Sequence, residues 1–158
     1  MAAKSVEAVK AYLDQQGVAY EAVEHGERFT AAAEAQAAGI EPGDAAKDLI
    51  LRDGESYALA VIPASQRLDL AKARELLDAS GSLRLATEDE IGKDFELFAV
   101  GAIPPFGGLH GISQVVDRRL LEHGRILCSA GDHAHGVLGD PNEMVGVGEA
   151  RTGDLCED

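Results

Sequence analysis

The 158-residue chain has no tryptophan, and its aromatic share is only 4%. Its core must therefore be built mainly from Ala, Val, Leu and Ile, through many small contacts. Cysteine is nearly as scarce. Cys128 and Cys156 are too few for the framework of a disulfide-stapled secreted domain, which makes a reducing, cytoplasmic setting the expected one. No apolar run approaches the roughly 20 residues that span a bilayer, and no basic segment followed by an apolar stretch stands near Met1. No membrane association is expected. Positive charge is the other shortage: 14 Lys and Arg face 28 Asp and Glu, for a net charge of −14. Gripping a duplex along its phosphates needs a basic stripe. The charge argues against extended duplex binding, but not against contact with a nucleic-acid end through Lys47, Arg52, Arg67 and Lys72.

Several catalytic signatures are missing as well. There is no G-x-S-x-G elbow, no G-x-x-x-x-G-K-[ST] phosphate loop and no G-x-G-x-x-G dinucleotide turn.

What is present reads as one domain, without repeats or low-complexity linkers. Ser5 is placed to cap a helix carrying Val6, Val9, Tyr12 and Leu13 at helical spacing, with Gly17 as its stop. "VAYEAVEH" reads as a strand, and Thr30 caps a second, alanine-rich helix closed by Gly39. Two apolar runs flank Asp53-Gly54, a dipeptide suited to the type I′ turn of a hairpin. Asp69 caps a third helix reaching about Ala79; "LRLA" is a strand, and Thr87 with Glu90 forms a capping box. "SQVVD", "RILCSAG" and "HGVLG" are further strands, with a helical turn at "RRLLEHG". The terminus around Cys156 is expected to be weakly held. The pattern predicts an α/β domain of α+β character, with a mixed sheet and helices packed on it.

Two stretches carry candidate chemistry. "CSAGDHAHG" groups Cys128, Asp132, His133 and His135, with the two histidines on one face of a strand, as a zinc site would begin. No second spaced cluster supplies the remaining ligands, so neither a metal nor another cofactor is expected, and the histidines are read as turn or pocket groups. Cys128, inside an apolar strand, reads as a small buried hydrophobe. The other stretch is "GAIPPFGGLHG". Gly101, Gly107 and Gly108 allow positive φ and close backbone approach to a ligand. Pro104 and Pro105 stiffen the loop without donating hydrogen bonds, and Phe106 offers an apolar wall. Such a loop suits the presentation of backbone N–H groups to a developing oxyanion. Lys47, at the start of a buried strand, is placed to hold an anion or carbonyl as a point charge.

"FTAAAEAQAAGIEPGDAAKDLIL", "VIPASQRLDL", "LRLATEDEI", "GAIPPFG" and "RILCSAG" follow one another in an order and at a spacing that resemble the prolyl-tRNA synthetase editing-domain family. Its freestanding members are the YbaK/ProX-type aminoacyl-tRNA deacylases, and the resemblance runs from about Val6 to Val145. It implies a three-layer fold around a central mixed sheet. It implies hydrolysis of the ester between a misattached small amino acid (Cys, Ala or Ser) and the tRNA 3′ end, most naturally tRNA-Pro, beside prolyl-tRNA synthetase. It also implies catalytic roles for Lys47 and Gly101, the latter within G-x-x-x-P with Pro105. Substrate contacts would come from Tyr20, Ile103, Pro105, Phe106, Gly107, Ser129, Gly131, Asp132 and His133. Asp48, where a small polar residue is commoner, and "GDHAHG" depart from the pattern and leave the amino acid open. Two other readings stand beside this one: a non-catalytic module binding a small ligand or partner, and a metal-dependent hydrolase built on His133 and His135.

Overall fold

In the computed structural model, which describes residues 2–28, 30–79, 81–145 and 151–158, the hairpin at Asp53-Gly54 organises the larger of two sheets. Strand β2 (Ala46–Asp53) runs antiparallel to β3 (Ser56–Pro63), with Asp53 opposite Ser56, so the connection is Gly54-Glu55. Gly54 has φ +64°, and Glu55 is outside the positive-φ region. This is the type II′ pattern and not the expected I′, because Asp53 is taken into the ladder and glycine moves to the first central position.

Strand β4 (Arg84–Leu85) pairs with the outer edge of β2. On the far side of β3, strands β5 (Ser113–Asp117) and β8 (Arg151–Gly153) follow in parallel, giving a mixed sheet of order β4-β2-β3-β5-β8. The expected mixed sheet is therefore present. A second, antiparallel sheet of order β1-β7-β6 accompanies it, built from β1 (Glu21–Glu24), β6 (Ile126–Ser129) and β7 (His135–Gly139).

The alternation of side chains along β2 sorts them into two cores. Leu51 joins Ile62 and Val115 in a cluster with Ala73 of α3 (Leu70–Leu77). Ala46 and Ile50 face the other way, with Leu59 and Val61 of β3. There they meet Val9 and Leu13 of α1 (Ala2–Gln15) and Ile126 and Val137 of the small sheet. Helix α2 (Ala31–Ala37) lies against the small sheet, with Ala35 packed on Leu127 and Leu138. Burying each fully enclosed Leu, Ile or Val contributes about 1.5–3 kcal/mol.

The helix caps at Thr30, Asp69 and Thr87 form as expected, including both bonds of the Thr87–Glu90 box, which opens α4 (Glu88–Asp94). Two expectations fail. Helix α1 already includes Ala2, so Ser5 is a buried residue within it and not its cap. The C-terminus is strapped down, because it supplies polar partners that a buried carboxylate needs. Asp117 Oδ2 accepts from Leu155 N at 2.8 Å and from Cys156 Sγ at 3.2 Å, and Lys72 Nζ holds the Cys156 carbonyl at 2.7 Å. Leu155 and Cys156 are fully buried.

Candidate functional site

The glycine-proline loop leaves α4 and runs to the short helix α5 (Gly107–His110). It is pinned by two side chains whose role was not read from the sequence. Gln114 of β5 accepts from the Gly107 N–H and donates through Nε2 to the carbonyls of Pro105 (3.0 Å) and Val145 (3.1 Å). His110 donates Nε2–H to the Pro104 carbonyl at 2.9 Å, its ring set edgewise between Phe95 and Phe98. Burial lowers the His110 pKa, which favours the neutral imidazole. The only signal for either residue was a polar side chain beside an apolar strand or loop.

This pinning uses up several amides. Ala102 N–H goes to the Ala99 carbonyl (2.9 Å), Phe106 N–H to that of Pro104 (2.9 Å), and Gly107 N–H to Gln114. Pro104 and Pro105 have none to give. Among the described residues, no acceptor takes the N–H of Gly101 or of Ile103. Gly101 is exposed with φ +87°, a conformation that favours glycine, and it lines a cavity of about 150 Å³ with Ile103, Asp48, Ile50, Ala86 and Ile91. Pro105 and Phe106 are placed elsewhere. Both are buried, and Phe106 stacks on Tyr12 in the core at 6.0 Å between ring centroids.

The facing strand clips the loop in place. Ser129 Oγ donates to the Ala102 carbonyl at 2.8 Å, and the Gly131 carbonyl accepts from Ala99 N at 2.9 Å. Gly131 has φ +98°, and a Cβ there would lie 2.6 Å from Phe98 Cδ1, so the position admits only glycine without a shift. Asp132 folds back on its own turn, accepting from the amides of Ala134 (2.9 Å) and His135 (2.8 Å) and from His135 Nδ1. The His133 carbonyl takes the Arg28 N–H at 2.7 Å. Tyr20 lies apart on the α1 side, where burial first and then the charge of Asp14 raise its pKa. No three His, Cys, Asp or Glu side chains group as metal ligands among the described residues, and Cys128 is fully buried.

Lys47 and Asp48, adjacent in β2, point to opposite faces of the sheet. Lys47 Nζ donates to the Gln66 carbonyl at 2.9 Å, on the side of Arg67 and Cys156. Desolvation lowers its pKa, and Arg67 pushes in the same direction. Among the described residues it has no carboxylate partner, unlike Arg52, paired with Glu90 at 2.9 Å, and Lys72, paired with Asp154 at 2.9 Å. Arg67, with its side chain 88% exposed, reaches Glu157 only at 4.0 Å.

Asp48 faces inward. Its Oδ2 is sealed from solvent and has no hydrogen-bond partner among the described residues. Burial, with the charge of Glu34 adding, pushes its carboxyl up to about 8. Glu34, in the first turn of α2 and 4% exposed, is raised to about 7, first by burial and then by Asp132. His25 stands next to it, Nε2 to Oε2 at 3.8 Å, while its Nδ1 faces the Gly26 carbonyl at 2.7 Å. A carboxyl with a raised pKa binds its proton more tightly in the folded state. Its stabilising effect is complete below about 4 and is lost as pH rises through about 8. Asp48→Asn should therefore gain stability relative to the wild type as pH rises from 5 to 8.5. Denaturant midpoints of the two proteins check this, and parallel profiles would show that folding does not raise the Asp48 pKa.

The chain shares its sequence pattern and fold with known proteins. A family model described as an aminoacyl-tRNA editing domain matches residues 25–146. A crystal structure of a candidate trans-editing enzyme for prolyl-tRNA synthetase is 30% identical, with a TM-score of 0.83 over 98% of each chain. A structure from work on epitope backbone grafting onto scaffold proteins is 27% identical, with a TM-score of 0.82 over 98% of this chain and 97% of that one. A hypothetical protein is 26% identical, with a TM-score of 0.81 over 95% of this chain and 99% of the other. No curated protein matches.

Proposed function

This chain belongs to the aminoacyl-tRNA editing domain family, and from that premise we propose that it works in trans, hydrolysing the ester of a small amino acid wrongly attached to the 3′ end of tRNA. The observation that carries this reading is the pair of unpartnered amides at Gly101 and Ile103, beside a cavity of about 150 Å³. An aminoacyl ester is already activated, so water can attack it without a protein nucleophile. Two preorganised N–H groups would take the charge that develops on the carbonyl oxygen, a contribution worth about a hundredfold or more in rate per donor. Gln114 and His110 hold the loop, so little reorganisation is needed during the reaction. The small cavity would admit Ala, Ser or Cys and reject larger side chains, the size test of a double sieve.

Lys47 would serve the anionic end of the substrate. Its ammonium is bonded to one neutral carbonyl and retains donors for a phosphate, across the sheet from the loop. Gripping only the acceptor end fits the shortage of unpaired cations. The salt dependence of tRNA binding should be shallow, with a log-log slope corresponding to no more than about four released ions. A steeper slope would mean that a longer stretch of tRNA is bound.

The carrier is proposed to be tRNA-Pro, with prolyl-tRNA synthetase as the enzyme whose errors are corrected; the structural relative at 30% identity supports this. The test is deacylation of tRNA charged with Ala, Cys, Ser or Pro. At least one of the first three should be released faster than Pro. No release from any of them would overturn the reading, and retained binding in that case would favour a non-catalytic module.

A further inference from the structure

The inward face of β2 carries a group that neither the loop nor Lys47 explains. Asp48 lines the cavity with Gly101 and Ile103, and its Oδ2 is sealed from solvent with no hydrogen-bond partner among the described residues. The rest of that cavity is mainly apolar, lined by Ile50, Leu85, Ala86 and Ile91. Glu34 lies close enough to raise the Asp48 carboxyl, and Asp132 in turn raises Glu34. Among the described residues no lysine or arginine pairs with any of the three; Glu34 has only His25 at 3.8 Å, and Asp132 has His135 at 2.8 Å. A buried polar oxygen without a partner costs stability, and its persistence points to a partner supplied from outside.

We infer that Asp48 is the anchor for the α-ammonium group of the aminoacyl ester, placing the ester carbonyl against the Gly101 and Ile103 amides. This rests on the deacylase reading and specifies which substrate group the pocket recognises. The ammonium sits one carbon from the carbonyl, and Asp48, Gly101 and Ile103 line one small cavity, so a ligand there would bring the first group to Asp48 and the second to the loop amides. The cation would pair with the carboxyl oxygen that has no hydrogen-bond partner among the described residues. The surrounding acids, Glu34 and Asp132, favour a positive ligand over a neutral hydroxyl. The geometry therefore selects for a free amino group, so that chains already acylated at nitrogen, such as peptidyl-tRNA, would be spared.

Two measurements separate this inference from the reading beneath it. The first compares hydrolysis of alanyl-tRNA-Pro and N-acetyl-alanyl-tRNA-Pro by the wild type, Asp48→Asn and Asp48→Thr. The wild type should prefer the free amine by about 30-fold or more in kcat/KM, the range for truncating one partner of a desolvated charge pair. Both variants should lose that preference while keeping slow turnover of the acetylated ester. The second follows binding of 3′-alanylamino-3′-deoxyadenosine, a stable amide analogue, and its N-acetyl form by NMR titration. Only the cationic analogue should bind in an Asp48-dependent way. Equal handling of the free and acetylated ligands by the wild type would overturn the inference and leave deacylation standing. Charge-selective, Asp48-dependent binding without turnover would support the anchor and overturn the deacylase. A variant that changed only the choice between seryl and alanyl esters would show that Asp48 reads the side chain, and the inference would fall. Either variant suffices if the other does not fold.

Discussion

Replacing Gly101 with alanine is expected to reduce single-turnover deacylation about a hundredfold or more, the effect of losing one oxyanion donor. The residue has φ +87°, where an added Cβ is strained at a cost of about 1–3 kcal/mol. The chain can relieve that strain by rotating the backbone, which turns the Gly101 N–H, and with it that of Ile103, away from the cavity. Because Gly101 is exposed and belongs to no core cluster, the stability loss should be limited to this strain. Gly54→Ala is the matching control. It places the same methyl at φ +64° in the β2–β3 turn, with no atom within 4 Å of the new Cβ, and Gly54 does not line the cavity of Gly101 and Ile103. It should lose comparable stability and keep its rate. Single-turnover kinetics and thermal unfolding of both variants decide the matter. Near-normal turnover in Gly101→Ala would reduce the glycine to a turn residue and remove the oxyanion argument.

Lys47→Ala should lower deacylation by a similar factor with almost no change in stability. In the folded protein the ammonium makes one bond to a neutral carbonyl, worth about 0.5–1.5 kcal/mol. Removing it also relieves the desolvation that lowers its pKa, so the two effects oppose each other. If Lys47 holds the anionic end of tRNA, the loss should appear mainly in KM for tRNA. It should be smaller on a short aminoacyl ester that lacks the phosphates. A folded Lys47→Ala protein with full activity on charged tRNA would end the assignment. An equal loss on both substrates would place Lys47 at the ester itself.

Local chemistry was read well wherever a few neighbouring residues decide the outcome. Thr30, Asp69 and Thr87 cap their helices because each side chain reaches an amide two or three residues away. The hairpin formed where Asp-Gly interrupts two apolar runs, although the turn type followed the ladder register and not the dipeptide. The glycine-proline loop was legible as stiff and open to close approach. Which of its amides stay unpaired was not, because Gln114 and the Ala99 carbonyl reach them only after the chain has folded.

By itself, then, the sequence determined the capped helices, the hairpin, the alternation along β2 and the family to which the chain belongs. Each of these depends on residue type and short spacing. Tertiary structure decided the rest. It placed Lys47 and Asp48 on opposite faces, since successive strand residues diverge and only the sheet's neighbours define what each face meets. It drew Leu155 and Cys156 into the core, because the Asp117 carboxylate, buried beneath them, required their donors. It also left Asp48 beside a cavity, with one oxygen that has no partner among the described residues. Partners for a buried polar group come from every element that surrounds it, and no window of sequence contains them all.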